Sequence, residues 1–284
     1  MTTPELNTPA PISLPYWVDP YPDNAAESLL AVLPAHTCHA LLDMAFNPAL
    51  HDELTLRFPA LELQVLFAGK YEGVGLAEIS PRLLTLPQVP EQRREVIDYL
   101  LHHTRGTPML SVIASPHSHL LKHLQQQLDA ENPEGQGFVM RLADSRALHS
   151  LLQVLTAEQR QRLLLPGMQW WYWKIDGQQV QVDGIDAAQA SEVPTGPYRF
   201  RAEQIIQLTA LAQTSKWLRV IEQHQQHFGQ LTGTPSQVCE CLQTVLSNVE
   251  SAQPHDAALL RAFKAALIQT GLLAVTTKRE SVDE

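Results

Sequence analysis

The sequence predicts an α/β protein of the α+β kind: an N-terminal lobe in which a mixed sheet is flanked by helices, followed by an all-α C-terminal helical lobe. Three observations predict it. Short apolar runs alternate with segments of helical period up to about residue 183, as expected of a sheet that buries itself against helices. After Tyr198 only long segments at helical spacing remain. The composition, 44% hydrophobic and 18% charged over 284 residues, is that of a folding chain long enough for two units. The expected organisation is a proline-rich N-terminal arm (1–34), an α/β lobe (35–183), a linker (184–198), a helical lobe (199–275) and a charged tail (276–284).

Prolines at 4, 9, 11, 15, 20, 22 and 34 predict an irregular, extended start. His39 to Asp43 reads as a buried strand, and Asn47-Pro48 opens a short helix with Asn as its cap. Leu63 to Phe67 and Leu83 to Leu86 read as strands bounded by Gly69, Pro81 and Pro87. From Glu91 to His103 the spacing of Val96, Ile97, Leu100 and Leu101 predicts a helix, stopped by Gly106 and Pro108 before a strand from Met109 to Ala114. Ser115-Pro116 starts the next helix, with Leu120, Leu121, Leu124 and Leu128 on one face, and Phe138 to Leu142 is a further strand.

Asp144 stands at an N-cap position before the stripe Leu148, Leu151, Leu152 and Leu155, and Thr156 with Gln159 forms a capping-box pattern for one more helix. Gln169 to Ile175 is an aromatic strand that turns at Asp176-Gly177 into Val180 and Val182, a hairpin. The helical lobe reads as Ala202 to Phe228, Pro235 to Val249 and Asp256 to Leu273.

A formal charge of -10 with only 20 Lys and Arg excludes nonspecific nucleic-acid binding, which needs clustered cations against phosphate. No apolar run approaches the length that spans a bilayer, and the first residues carry neither a basic nor an apolar leader pattern. Three cysteines, Cys38, Cys239 and Cys241, supply no disulfide framework. A cytoplasmic protein without membrane contact is expected.

The chain carries few candidate catalytic motifs. Gly69, Gly73 and Gly75 do not form a phosphate-binding fingerprint, and no G-K-[ST] occurs. His117, His119 and His123 are the densest histidine group but lack the Glu of an H-E-x-x-H frame; His102-His103, His224 with His227, and Cys239-Glu240-Cys241 lack partners at ligand spacing. No metal or cofactor is implied. The alternative to a binding protein is a hydrolase or metal-dependent enzyme built around Ser115, His117 and His119, at a predicted strand end. Trp170, Trp171, Tyr172 and Trp173 stand out: period 2 sends Trp171 and Trp173 to one face and Trp170 and Tyr172 to the other. The second face either anchors a partner or packs beneath the helical lobe.

Several segments, in order, resemble the effector-adaptor family of bacterial type VI secretion, the Tap or Tec adaptors, formerly a domain of unknown function. Leu41-Leu42-Asp43-Met44-Ala45 resembles its opening Leu-Leu-Asp-x-Ala strand end. Val65 to Gly69 and Ser80-Pro81-Arg82-Leu83 match its next segment in part. Met109 to Ser115 followed by His123-Leu124 resembles its strand and His-Leu-Arg helix, with Gln125 in place of Arg. Arg141, Asp144 and Arg146 match its Arg-x-x-Asp-Pro-Arg turn, with Ser145 in place of Pro, and Gly167 to Trp173 resembles its tryptophan strand.

The resemblance implies a non-catalytic adaptor or chaperone that binds a cognate type VI effector and loads it on the VgrG spike protein. The residues it singles out are Asp43, Arg141, Asp144 and Arg146, with Trp170 and Tyr172 from the aromatic strand. Asp144 caps its helix and an arginine clamps its carboxylate; the arginines either fix the turn only or also reach the cargo.

Overall fold

The computed structural model describes residues 17–184, 196–249 and 256–274; the expected tail and most of the linker lie outside them. The chain runs α1 (Ala25–Val32), β1 (Cys38–Leu42), α2 (Leu50–Arg57), β2 (Leu63–Val65), α3 (Leu76–Ile79), β3 (Arg82–Thr85), α4 (Pro90–His103), β4 (Leu110–Ala114) and α5 (Leu120–Gln126). It continues through β5 (Asp129–Glu131), β6 (Gly137–Val139), α6 (Ser145–Val154), α7 (Ala157–Leu163), β7 (Gln169–Trp173), β8 (Gln179–Asp183) and β9 (Tyr198–Arg199). The C-terminal region is α8 (Ala202–Gln223), α9 (Gln225–Phe228), β10 (Gln230–Leu231), α10 (Pro235–Val249), α11 (Asp256–Gln269) and β11 (Leu273–Ala274).

The α+β class is the one predicted. The main sheet, in the order β2-β3-β1-β4-β7-β8, is antiparallel at every pair, where a mixed sheet was expected. The reason is topological. β3 and β4 run the same way with α4 between them, the arrangement that predicts parallel neighbours, but β1 is inserted between the two and is antiparallel to both. The one parallel pair, β5 with β9, belongs to a separate small sheet ordered β6-β5-β9, which also takes the strand expected at Phe138 to Leu142.

Helices cover both faces of the main sheet. Leu41, Leu83, Ile113, Trp170 and Tyr172 pack on one side with Leu124 of α5, Leu148 of α6 and Leu163 of α7. Ala40, Leu42, Leu84, Val112, Trp171 and Trp173 pack on the other with Leu29 of α1, Leu54 of α2 and Ile97 of α4. Burial of both faces leaves no polar side for the strands to alternate with, which is why they read as unbroken apolar runs.

Residues 25–32 correct the expectation that the chain is irregular through residue 34. The stretch between Pro22 and Pro34 is free of proline and long enough for two helical turns, and Ala25 and Leu29, one turn apart, are buried. Upstream, Val18 and Tyr21 are also buried. The hairpin between β7 and β8 turns over this segment: Gly177 has φ +74, and a Cβ there would lie 2.8 Å from the Pro20 carbonyl oxygen, so a glycine is required.

Two further boundaries shift. α2 begins at Leu50 after a turn at Asn47-Pro48, and α5 begins at Leu120 because the Ser115 Oγ accepts the His117 N–H at 3.1 Å and holds a turn first. A third core, with Trp217, Ile221, Leu242, Phe263 and Leu267, joins the C-terminal part of α8 to α10 and α11. The N-terminal part of α8 instead reaches the first core through Ile205 and Leu208. No helix among the described residues is long and apolar enough to cross a membrane.

Candidate functional site

Two sequence motifs separated by about a hundred residues meet at the start of α6. Asp43 follows β1, and its backbone N–H donates to the Met109 carbonyl at 2.9 Å, which fixes it beside the entry to β4. Its Oδ1 accepts the Ala45 N–H at 3.1 Å and its Oδ2 accepts from Arg141 at 2.8 Å. Asp144 is the N-cap of α6, as predicted: Oδ1 accepts the Arg146 backbone N–H at 3.0 Å. The Arg146 guanidinium closes a fork on the same carboxylate, Nε to Oδ1 at 3.2 Å and Nη2 to Oδ2 at 3.0 Å, and Arg141 approaches from outside at 3.4 Å. All four predicted charged residues therefore form one cluster.

Burial divides their roles. The Asp43 and Asp144 side chains are 5% and 4% exposed, whereas Arg141 is 50% exposed. Burial raises the Asp43 carboxyl above its ordinary range, against the pull of Arg141. For Arg141 burial acts downward, but the Asp144 and Asp43 charges outweigh it and keep the guanidinium charged.

Aromatic rings complete the cluster. Arg141 lies 5.4 Å from the centroid of Phe46; Arg146 lies 5.5 Å from Phe46 and 5.4 Å from Trp17; Arg219 of α8 lies 5.0 Å from Trp17. Trp17 and Phe46 meet edge to face at 5.7 Å. Glu222, one turn after Leu218 on α8, is pushed up to about 7 by burial in spite of the Arg146 and Arg219 charges.

Trp17, Phe46, Arg219 and Glu222 escaped the sequence reading. Phe46 stands one residue past the Leu-Leu-Asp-x-Ala segment, and Trp17-Val18 is an aromatic-aliphatic pair within the proline-rich stretch, a signal that these two residues are docked.

Trp170 and Tyr172 do not join the site. They are 0% and 2% exposed, inside the core under α6, so they offer no surface to a partner; core packing accounts for them. The Trp170 Nε1–H donates to the Ser111 Oγ at 2.9 Å, and Tyr172 pairs its hydroxyl with His149 Nδ1 at 3.0 Å.

Ser115 is 3% exposed with its hydroxyl committed to the His117 N–H, and His117 and His123 each set Nε2 2.9 Å from a backbone oxygen, of Pro166 and Leu163. Among the described residues no three of His, Cys, Asp and Glu are placed to hold a metal. The strand-end crevice that motivated this group belongs to open parallel sheets, and the present sheet is antiparallel.

Two grooves flank the crossing of α6 and α8. One, of about 510 Å³, opens toward α10 and the β7–β8 turn and is lined by His149, Lys174, Asp176 and Gln243 among others. The other, of about 330 Å³, lies between β6 and the two helices, with Arg141 and Arg146 at its end.

Residues 38–162, from β1 into the last turn of α7, match the family described as Domain of unknown function (DUF4123). The tryptophan strand falls just beyond the matched region. No match was found among curated proteins or among solved structures.

Proposed function

Taking as premise that residues 38–162 belong to the DUF4123 family, known as the type VI secretion effector adaptors, we propose that this chain is a non-catalytic adaptor that binds one effector and loads it on the VgrG spike. The family implies the adaptor role in general; effector loading on VgrG and the absence of catalysis are our reading. The observation that carries it is the Asp43–Arg141–Asp144–Arg146 cluster. Two buried carboxylates hold one arginine in a fixed position and leave the other half exposed beside a groove. Such a preorganised guanidinium suits recognition of another protein, because its side-chain entropy is already spent on Asp43 and Asp144 before binding.

The net charge of -10 supports a protein partner over nucleic acid, and action in the cytoplasm, before export, follows from the same role. Ser115, His117 and His119 remain the place where an enzymatic reading would be tested. Co-purification of the tagged chain with the products of its neighbouring genes tests the proposal: an effector and a VgrG protein are expected in the eluate. Recovery of neither, or hydrolase activity lost on Ser115→Ala, would refute it.

A further inference from the structure

We infer that the free edge of β6 and the groove beside it receive an extended segment of the effector, which adds as a strand and carries an acidic residue to Arg141. This rests on the adaptor reading and specifies where and in what form the cargo is held.

β6 is the outermost strand of its sheet. Its ladder with β5 is bracketed by the Asn132 N–H to Gln136 carbonyl bond at 3.0 Å and the Met140 N–H to Leu128 carbonyl bond at 2.7 Å. Alternation in an antiparallel pair then turns the backbone groups of Gly137 and Val139 away from β5. Residues 133–139 are all exposed. Exposed strand edges are ordinarily blunted by lysine, proline or a covering element; Gln136-Gly137-Phe138-Val139-Met140 carries neither lysine nor proline and no element among the described residues covers it, with Phe138 and Val139 36% and 41% exposed.

The adjoining groove has apolar walls from Val139 and, on α8, Leu208 and Leu211, the last 39% exposed. Unpaired peptide groups beside an apolar trough call for a partner that brings peptide groups of its own, so an extended segment fits and a helix, whose backbone is already paired, does not.

Charge selects the occupant further. Arg141 meets Asp43 and Asp144 through its two terminal nitrogens, and its half-exposed guanidinium retains donors on the groove side. Arg219 is exposed one turn beyond Ser215, at the same end, and has no carboxylate within ion-pair distance among the described residues. A basic spot on a chain of net charge -10 complements an acidic residue. A second copy of β6 would bring Gly137–Val139, which carries no acid.

The test uses the full-length chain and the intact effector encoded beside it. Leu211→Glu and Val139→Pro, both at exposed positions and checked by melting temperature, are expected to weaken binding at least tenfold. Leu56→Glu, at an 86% exposed apolar position on α2, should leave binding unchanged. Effector binding should slow amide exchange at Gly137 and Val139, whose N–H groups face away from β5. Wild-type affinity in both groove variants with unprotected amides at Gly137 and Val139 would overturn the inference while leaving the adaptor reading standing. Dimers in light scattering that Leu211→Glu dissolves would assign the edge to a second copy and overturn it. An effector that does not bind the wild-type chain at all would overturn both.

Discussion

Asp144 performs two tasks with one carboxylate: it caps α6 through the Arg146 N–H and neutralises the Arg146 and Arg141 guanidinium groups. Removing it leaves an orphan helix N–H and a largely buried cation, so Asp144→Ala should lower unfolding free energy by roughly 2–4 kcal/mol in denaturant titration. Asp144→Asn keeps an oxygen for the cap and should lose less than half of that. Equal losses would show that the cap contributes nothing separate from the charge. Glu222 makes a second prediction. Its folded pKa, about 7, lies above the ordinary 4.5, so the folded state holds the proton more tightly. The associated stability is fully present below about pH 4.5 and is lost as pH rises through 7. Glu222→Gln cannot ionise and should be relatively more stable at pH 8 than at pH 5, by on the order of 1 kcal/mol after allowing for solvent screening. The difference between the two proteins isolates this group from His39, His123 and His149, which burial pushes in the opposite direction, toward the neutral form at lower pH. A pH-independent difference would remove Glu222 from the account.

Local elements were the legible part of the fold. The capping box of α7 appears as read, with the Thr156 Oγ1 accepting the Gln159 N–H at 3.2 Å and the Gln159 side chain accepting the Thr156 N–H at 2.9 Å, because both halves of the motif lie within one turn. The β7–β8 hairpin likewise follows from a five-residue turn and strand alternation. Sheet order was not legible: the insertion of β1 between β3 and β4 is a choice among long-range pairings that no local spacing records. The alternation of β7 correctly separated Trp170 and Tyr172 from Trp171 and Trp173, but not which face would be covered, since that depends on α6 arriving from elsewhere. Because the strand is buried on both faces, its rings are the largest side chains of both cores, and Trp171→Ala should cost roughly 3–5 kcal/mol. Trp170→Phe keeps most of the volume but leaves the Ser111 hydroxyl without its donor, a loss of about 1–2 kcal/mol by thermal or chemical denaturation.

At the scale of the whole molecule, the expected boundary near residues 184–198 is bridged from both sides. The segment before α1 reaches forward: Asp19 accepts the Ser236 N–H at 2.9 Å, the Ser236 hydroxyl at 2.6 Å and the Thr234 hydroxyl at 3.1 Å, closing the start of α10. Trp17, between Arg146 of α6 and Arg219 of α8, adds a second tie. These contacts were illegible because they join residues more than a hundred positions apart, and more than two hundred for Asp19 with Ser236 and Trp17 with Arg219. The candidate site was legible in Asp43, Arg141, Asp144 and Arg146, which sit in short motifs, and not in its rings or in Arg219 and Glu222, which come from separate elements. α8 forms the other bridge. At about 1.5 Å per residue its 22 residues span roughly 33 Å, enough to serve two cores. Its first turns give Ile205 and Leu208 to the sheet core, and the Gln204 amide donates to the Val154 carbonyl at 2.9 Å; its last turns give Trp217 and Ile221 to the helical core. Deleting residues 200–284 therefore does more than remove a lobe: it strips Phe200, Ile205 and Leu208 from the first core, removes the Gln204 bond to Val154 and uncovers α6. The truncated chain should expose apolar surface, bind a hydrophobic dye and melt well below the full-length protein, with Asp19→Ala in the full chain showing a smaller loss of roughly 1–2 kcal/mol. A truncation product that melts within a few degrees of the full chain would mean that α8 contributes nothing to the first core and that the two lobes fold independently.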